Sequence, residues 1–383
     1  MAGRADLIDD PDAPRAASAI EDPDAAQPGR GAPKIRSRKD GAAVRLDDAD
    51  RRLLNLMQGS FPIAPRPFAH VAQLAEVSEQ EVMARVSTLL EKRIIRQVTP
   101  IFDTRALGYS SMLVAAKVDS ENPHRAAKVI NEHPGVSHNY LRNHEFNLWF
   151  TIATEPDSEL GLQGTLEVLA RESGAESVRQ LPTLKLFKIR MDLEMEGGTD
   201  ALAAAAEATA PVELEPQPYD ERDIAVIRAL QGDMAVVEQP YAAAAAELGW
   251  PQEQLLDHLA AMQERGLLRR VAAILYHRRA GFSANGMGVW KVPDERIAEV
   301  GCRMAAFRGI SHCYQRPTYE DWPYSVFTMA HGRSKQECDA ILDAIAAETG
   351  VQERATLYSS TEFKKIRLLY FTEAFKDWER AHA

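Results

Sequence analysis

"GVSHNYLR" occupies Gly135–Arg142, and "GISHCYQR" occupies Gly309–Arg316. Both octapeptides keep Gly, Ser, His, Tyr and Arg in one frame. Read as a β-strand, each places His, Tyr and Arg at every second position. Strand side chains alternate faces, so the three share one face of a sheet. In the first copy the run continues through "NHEFNLWF" to Phe150 and adds His144 to His138, Tyr140 and Arg142. Two imidazoles, a phenol and a guanidinium in one row make a poor core, so the face has another use.

Working outward, the match extends over two blocks. "LDDADRRLLNLMQGSFPIAPRPF" from Leu46 lines up with "YDERDIAVIRALQGDMAVVEQPY" from Tyr219, and "LEKRIIRQVTPIFDTRALGY" from Leu90 with "QERGLLRRVAAILYHRRAGF" from Gln263. "FKIR" at Phe187 answers "KKIR" at Lys364. The order is kept throughout, which marks an internal duplication of about 150 residues.

Each block opens with three short helical patterns. Arg51–Gln58 is apolar at Leu53, Leu54, Leu56 and Met57, and a short helix over Phe68–Ala75 follows Pro65 and Pro67. "VSEQEVMARVSTLLEKR" starts with a capping-box signature, Ser78 and Glu81, and carries Val82, Val86, Leu89 and Leu90 on one face. A ribbon, "IIRQVTPIF", comes next, so the unit reads as a winged helix-turn-helix. The remainder reads β-α-β-β-α-β. Asn122 is the expected N-cap of the first of these helices with Pro123 at its first position, and the second copy shows a further box at Ser334 and Glu337. That order predicts a ferredoxin-like α/β sandwich, an α+β fold in tandem.

The expected boundaries are a disordered tail at 1–45, helix-turn-helix units at 46–105 and 219–279, ferredoxin-like domains at 106–195 and 280–373, a linker at 196–218 and a C-terminal tail at 374–383. The tail is rich in Ala, Asp, Pro, Gly and Arg without periodicity, and the linker repeats that character with an Ala run. The two sandwiches are expected to pack sheet to sheet.

Composition narrows the class. The chain has 383 residues, a formal net charge of −11 and three cysteines, Cys302, Cys313 and Cys338, which form no CxxC pair and no zinc spacing. No apolar run is long enough to span a membrane, and the acidic N-terminus lacks an apolar signal core. A cytoplasmic protein with reduced thiols is expected. No Walker loop, dinucleotide glycine motif, HExxH or nucleophile elbow is present, so no organic cofactor is expected.

The plan resembles the Lrp/AsnC architecture. More narrowly, "SHNYLRNHEFNLWFT" and "SHCYQRPTYEDWPYSVFTMAHG" resemble the two subunit types of siroheme decarboxylase, here fused in one chain over about residues 46–195 and 219–371. The His-x-Tyr-x-Arg rows and Asp321–Tyr324 carry most of that specificity. The resemblance implies a carboxy-lyase. Siroheme loses two acetate carboxyl groups as carbon dioxide, and didecarboxysiroheme leads towards haem d1 in denitrifiers or to haem by another route. It implies substrate contacts at His138, Tyr140, Arg142 and His144, and at His312, Tyr314 and Arg316. It leaves room for a homodimer, for partner decarboxylase subunits and for enzymes of the haem d1 route, with no DNA or membrane partner.

The chemistry fits those residue types. A siroheme-like tetrapyrrole is a flat apolar disc ringed by carboxylates. Arg142 and Arg316 suit bidentate carboxylate binding, and Lys188, Arg190, Lys365 and Arg367 on the last strands could hold more. Loss of carbon dioxide requires a proton donor near the acetate carbon, for which an imidazole is suited and a tyrosine is a weaker candidate. Any of His138, His144 and His312 could serve either as that donor or as an axial ligand to the iron that arrives with the substrate. Pro317, Thr318 in the place of His144 and an insertion at Tyr319–Pro323 make the halves inequivalent. The competing expectations are a transcription regulator and a non-catalytic tetrapyrrole sensor. Acidic residues on the candidate recognition helices, Glu79, Glu81 and Glu91, then Glu253, Asp257 and Glu264, count against phosphate contacts. The ribbon arginines Arg96, Arg269, Arg270, Arg278 and Arg279 suit either DNA or a carboxylate-rich ligand.

Overall fold

Helical spacing of apolar residues sets the first units. Leu53, Leu54 and Met57 are buried on one face of α1 (Asp48–Gly59), and Asp47 caps it by accepting the Asp50 amide at 2.7 Å. A computed structural model describes residues 46–189, 217–275 and 284–382. The expected 1–45 tail, most of the expected 196–218 linker and Arg190, Arg278 and Arg279 lie outside the described residues. Helix α2 (Pro67–Ala75) starts on a proline, and α3 (Glu79–Glu91) starts where Ser78 accepts the Glu81 amide at 3.2 Å. The return bond of the expected box is replaced, because the Glu81 carboxylate takes the Arg85 guanidinium at 2.9 Å. The second unit repeats the plan in α6 (Glu221–Leu230), α7 (Ala242–Glu247) and α8 (Gln252–Glu264). Its first helix carries a complete capping box, Asp220 with Asp223.

The ribbon differs from expectation. Each unit supplies one strand, β1 (Ile95–Phe102) and β7 (Leu268–Leu275), and the two pair antiparallel with each other. Their apolar residues explain why: Val271, Ala273 and Leu275 complete the core of the first unit, and Phe102 completes that of the second. The two helix-turn-helix units are thereby stitched together.

The first sandwich runs β2 (Ser110–Lys117), α4 (Pro123–Glu132), β3 (His138–Arg142), β4 (Leu148–Thr154), α5 (Gly161–Ser173) and β5 (Ser177–Leu181), followed by β6 (Lys185–Ile189). Asn122 precedes α4 but makes no side-chain capping bond. The second runs β8 (Ala284–Trp290), α9 (Ile297–Ala306), β9 (Ile310–Gln315), β10 (Val326–Gly332), α10 (Lys335–Thr349) and β11 (Arg354–Lys365). Here the Glu337 carboxylate accepts the Arg333 amide at 2.7 Å rather than returning to Ser334. Among the described residues nine strands join in the order β5-β2-β4-β3-β11-β8-β10-β9-β6. Both ends of that order are consecutive in the chain, across Pro182–Leu184, so the sheet returns on itself. Inside it Ala115, Trp149, Met287, Val289, Phe327 and Leu357, contributed by both halves, form one core. The sandwiches do pack sheet to sheet.

The stretch expected as a C-terminal tail is a helix, α11 (Glu373–His382). It buries Phe375 and Trp378, the latter in the core of the first sandwich. Burial of two large aromatic rings explains why it is ordered.

The repeated glycine that opens both octapeptides has a steric cause. A Cβ on Gly135 would overlap the carbonyl oxygen of Ala153, and one on Gly309 would lie 2.6 Å from Ile341. Gly135→Ala is expected to lower stability by about 1–3 kcal/mol, since backbone yields less readily than a side chain. Denaturant unfolding of the variant against the parent protein measures this.

Candidate functional site

Alternation decides which side chains face inward. Asn139 on β3 points to the helical side and donates to Asn131 of α4 at 3.0 Å, and Cys313 on β9 is buried in the core under α9. His138, Tyr140 and Arg142, and likewise His312, Tyr314 and Arg316, therefore face the space between the sheets. Tyr140 lies opposite Trp149 of β4, and Tyr314 opposite Phe327 of β10.

The two arginines are placed alike. Arg142 donates to the Leu357 carbonyl at 3.1 Å, and its guanidinium lies 5.8 Å from the rings of both Tyr140 and Trp149. Arg316 donates to the Leu181 carbonyl and lies 4.9 Å from Tyr314 and 5.4 Å from Phe327. Each thus reaches a strand of the opposite half, β11 for Arg142 and the end of β5 for Arg316. Burial lowers both guanidinium pKa values to about 10, which leaves them charged at neutral pH. Neither meets a carboxylate among the described residues, and the Nε of each has no hydrogen-bond partner. A desolvated cation without a counter-anion is costly. A carboxylate-bearing ligand would relieve it.

Between the two guanidiniums stands an aromatic cluster. Trp322 is fully buried, with ring centroids 5.3 Å from Trp149, 5.0 Å from Tyr324 and 6.1 Å from Phe327. Its Nε1 is also without a partner. The insertion that carries it is pinned by the first half. Arg179 grips Asp321 at 2.8 and 2.7 Å, and the Tyr319 hydroxyl donates to the Gln180 carbonyl at 2.6 Å. Three unmet donors thus border one aromatic cluster.

The imidazoles differ between halves. His138 Nδ1 lies 3.0 Å from the Ser137 hydroxyl, which lies 2.8 Å from that of Thr151. Burial first, then Lys365 and Arg96, lower its pKa to about 4, so it is neutral at pH 7 in the free protein. Lys365 sits opposite it on β11 and is exposed. His312 Nδ1 lies 2.6 Å from the Ser311 hydroxyl, which lies 2.5 Å from His331 Nε2.

Other predicted residues lie elsewhere. Strand β3 ends at Arg142, so His144 sits in the following turn. Its Nδ1 accepts the Phe146 amide at 3.1 Å while its ring meets Trp322 edge-on at 5.2 Å. The row therefore has three members, not four, and His144 joins the aromatic cluster. A register shift between Leu186 and Lys188 pairs Lys188 with Cys313, and its Nζ donates to the Phe307 carbonyl at 2.9 Å on the helical side. Arg367 clamps the ribbon, donating to Thr99, to the Pro100 carbonyl and, at 2.6 Å, to the Gln231 carbonyl. Both long side chains are held by backbone oxygens away from the rows.

Comparison with known proteins accounts for both kinds of unit. A model of the AsnC-like ligand binding domain matches residues 106–188 and 279–364, and one of the siroheme decarboxylase NirDL-like HTH domain matches residues 50–96 and 223–269. A siroheme decarboxylase of Hydrogenobacter thermophilus is 39% identical over 328 residues, 85% of this chain and 96% of that protein. The chain belongs to the siroheme decarboxylase family. A crystal structure of the siroheme decarboxylase NirDL in co-complex with an iron-uroporphyrin III analogue matches with a TM-score of 0.69 at 34% identity, covering 87% of this chain and 98% of that one. The siroheme decarboxylase beta subunit of Methanosarcina barkeri is 39% identical over 146 residues, 38% of this chain and 96% of that subunit. One subunit of the family thus spans less than half of this chain, in keeping with the duplication.

The residues that sequence reasoning missed in this siroheme decarboxylase relative are His331, Thr151 and the donor role of Trp322. Their signal was weak, since each falls on a strand or insertion where an apolar role is the default. The buried guanidiniums give a test. Replacing an unpaired buried cation by an apolar side chain is neutral or stabilising for the fold, whereas loss of a carboxylate clamp weakens binding. Arg316→Met is expected to keep or raise the melting temperature and to weaken siroheme binding at least about tenfold. Thermal unfolding and an absorbance titration measure the two effects.

Proposed function

We propose that this chain removes two acetate carboxyl groups from siroheme as carbon dioxide and yields didecarboxysiroheme, feeding haem d1 or an alternative haem route. The observation that carries the reading is the pair of buried guanidiniums with no carboxylate partner among the described residues, each beside a His and a Tyr and flanking one aromatic cluster. A flat, carboxylate-ringed macrocycle supplies what such a site lacks. The iron arrives with the substrate, and the two rows need no organic cofactor.

Arg142 and Arg316 hold ring carboxylates, with Lys365 and Arg96 adding positive charge beside His138. Withdrawing an acetate carboxylate from water raises its energy. The carbon–carboxyl bond breaks, and the electron pair left on the acetate carbon takes a proton from an imidazole. Tyr140 and Tyr314 orient the carboxylate. General acid catalysis typically contributes about 10²–10⁴-fold, so His138→Ala or His312→Ala, whichever half performs the step, is expected to slow it by about that range.

The regulator reading loses the arginines of both candidate recognition helices. Arg85 of α3 is held by Asp47, Asp50 and Glu81, each at 2.9 Å, and Arg265 after α8 is held by the buried Asp223 at 2.6 Å. Arginines neutralised within the fold contribute little to phosphate binding.

Anaerobic incubation with siroheme followed by mass spectrometry of the pigment tests the reading. Loss of two carbon dioxide units is expected, and tight binding with unchanged mass would favour a sensor instead. A pH dependence follows as well. An arriving carboxylate raises the His138 pKa from about 4, so the complex holds more protons than the free protein. Affinity is then expected to rise as pH falls from about 7 towards about 5, with proton uptake seen as a buffer-dependent calorimetric enthalpy. The lowering of the His138 pKa by burial acts on folding with the opposite dependence. Below the unfolded value of 6.5 the unfolded chain binds the proton first, so the His138 contribution to stability is lost as pH falls towards about 4.

A further inference from the structure

The second half carries a hydrogen-bonded chain that the first half lacks. Ser311 Oγ stands between two imidazoles, 2.6 Å from His312 Nδ1 and 2.5 Å from His331 Nε2. The far nitrogen of His331, Nδ1, lies 2.8 Å from Asn285 Oδ1. The Met329 carbonyl is a longer contact for the same hydroxyl, at 3.5 Å. In the first half Ser137 makes the corresponding bond to His138, but its other partner is the Thr151 hydroxyl at 2.8 Å. A threonine hydroxyl passes a hydrogen bond along and cannot store a proton at neutral pH. An imidazole can.

We propose that His331 is a positioning residue for the decarboxylation, storing the proton that His312 delivers, so that the second half's row is the one built for acid catalysis. The inference rests on the siroheme reading above. The Asn285 oxygen accepts and so fixes the polarity. Protonated His331 donates Nδ1–H to Asn285 and Nε2–H to Ser311, Ser311 donates O–H to His312 Nδ1, and His312 presents Nε2–H to the substrate. When the carbon–carboxyl bond breaks and carbon dioxide leaves, its electron pair takes the Nε2 proton of His312. The Ser311 proton moves to His312 Nδ1, and the His331 Nε2 proton moves to Ser311. His331 ends neutral with its Nδ1–H still donated to Asn285, Ser311 has exchanged one proton for another, and His312 carries its proton on Nδ1. After product leaves, a proton taken from water at His312 Nε2 runs the path in reverse and restores the charge to His331. The positive charge thus waits on a half-buried ring next to the exposed Asn285. It does not wait inside the cation-lined row.

The test uses the full chain with siroheme under anaerobic conditions. His331→Ala is expected to lower kcat by about tenfold to a hundredfold with siroheme affinity unchanged, to flatten a curved solvent proton inventory to a line, and to regain rate when free imidazole is added. His331→Gln, which can still hydrogen-bond Ser311, is expected to be as slow as the alanine variant. Parental rates in His331→Ala would overturn the proposal alone. Full rescue by His331→Gln, or a matching loss of binding in both variants, would also overturn it by showing a structural role. If the parent protein leaves siroheme intact, the decarboxylase reading falls first and takes this inference with it.

Discussion

Each half of this chain gives its last strand to the other, and the rest of the site depends on that exchange. The N-terminal part of β11 pairs with β8 of its own half, and the C-terminal part pairs with β3 of the other. In the first half the same job is split, with β5 on β2 and β6 on β9. Backbone hydrogen bonding obliges a strand edge to find a partner, and here the partner lies across the duplication. Arg142 can therefore donate to Leu357, and Arg316 to Leu181, only when both halves are present. Neither row is complete within one repeat.

This explains how much could be read from the sequence. Repeat frame, strand alternation and turn chemistry follow from local residue order, so the duplicated helical units, the sandwiches and the inward row of His, Tyr and Arg were all legible. What depends on the opposite repeat was not. The ribbon looked local because β1 and β7 each carry a complete strand pattern, and nothing in either shows that they pair together. The repeated Lys-Ile-Arg pattern puts Lys188 and Arg367 on the last strands, but Arg367 lies beyond β11, and only the register shift beside Lys188 and the carbonyls around Arg367 show that both point away from the rows. His144 follows the alternation on paper. In the structure the strand ends two residues earlier, and the imidazole binds the turn.

The charge pattern also separates overall from local electrostatics. The chain is acidic, with a formal net charge of −11, which suits neither a nucleic-acid surface nor long-range capture of an anion. Yet the space between the sheets holds guanidiniums largely withdrawn from water and, among the described residues, without a carboxylate partner. At short range, in a medium that screens poorly, such groups act more strongly than a surplus of distant surface charge. On the reading proposed here, selectivity for a carboxylate-ringed ligand would come from the two guanidiniums at the ends of an aromatic cluster. Bulk charge has little part in it.

Duplication followed by divergence completes the picture. The two rows keep the same His-x-Tyr-x-Arg frame, so both retain the means to bind carboxylates. What has changed lies one residue outward. An aromatic insertion ending in Pro323 fills the second half where His144 stands in the first, and Arg179 of β5 clamps it through Asp321. Behind the serine next to each row, one half places Thr151 and the other His331. With binding groups preserved and the proton-handling groups altered, the chain reads as one site kept for holding and orienting and one fitted for chemistry. That division would let a single chain grip a large ring from two sides while the reacting acetate meets only one acid.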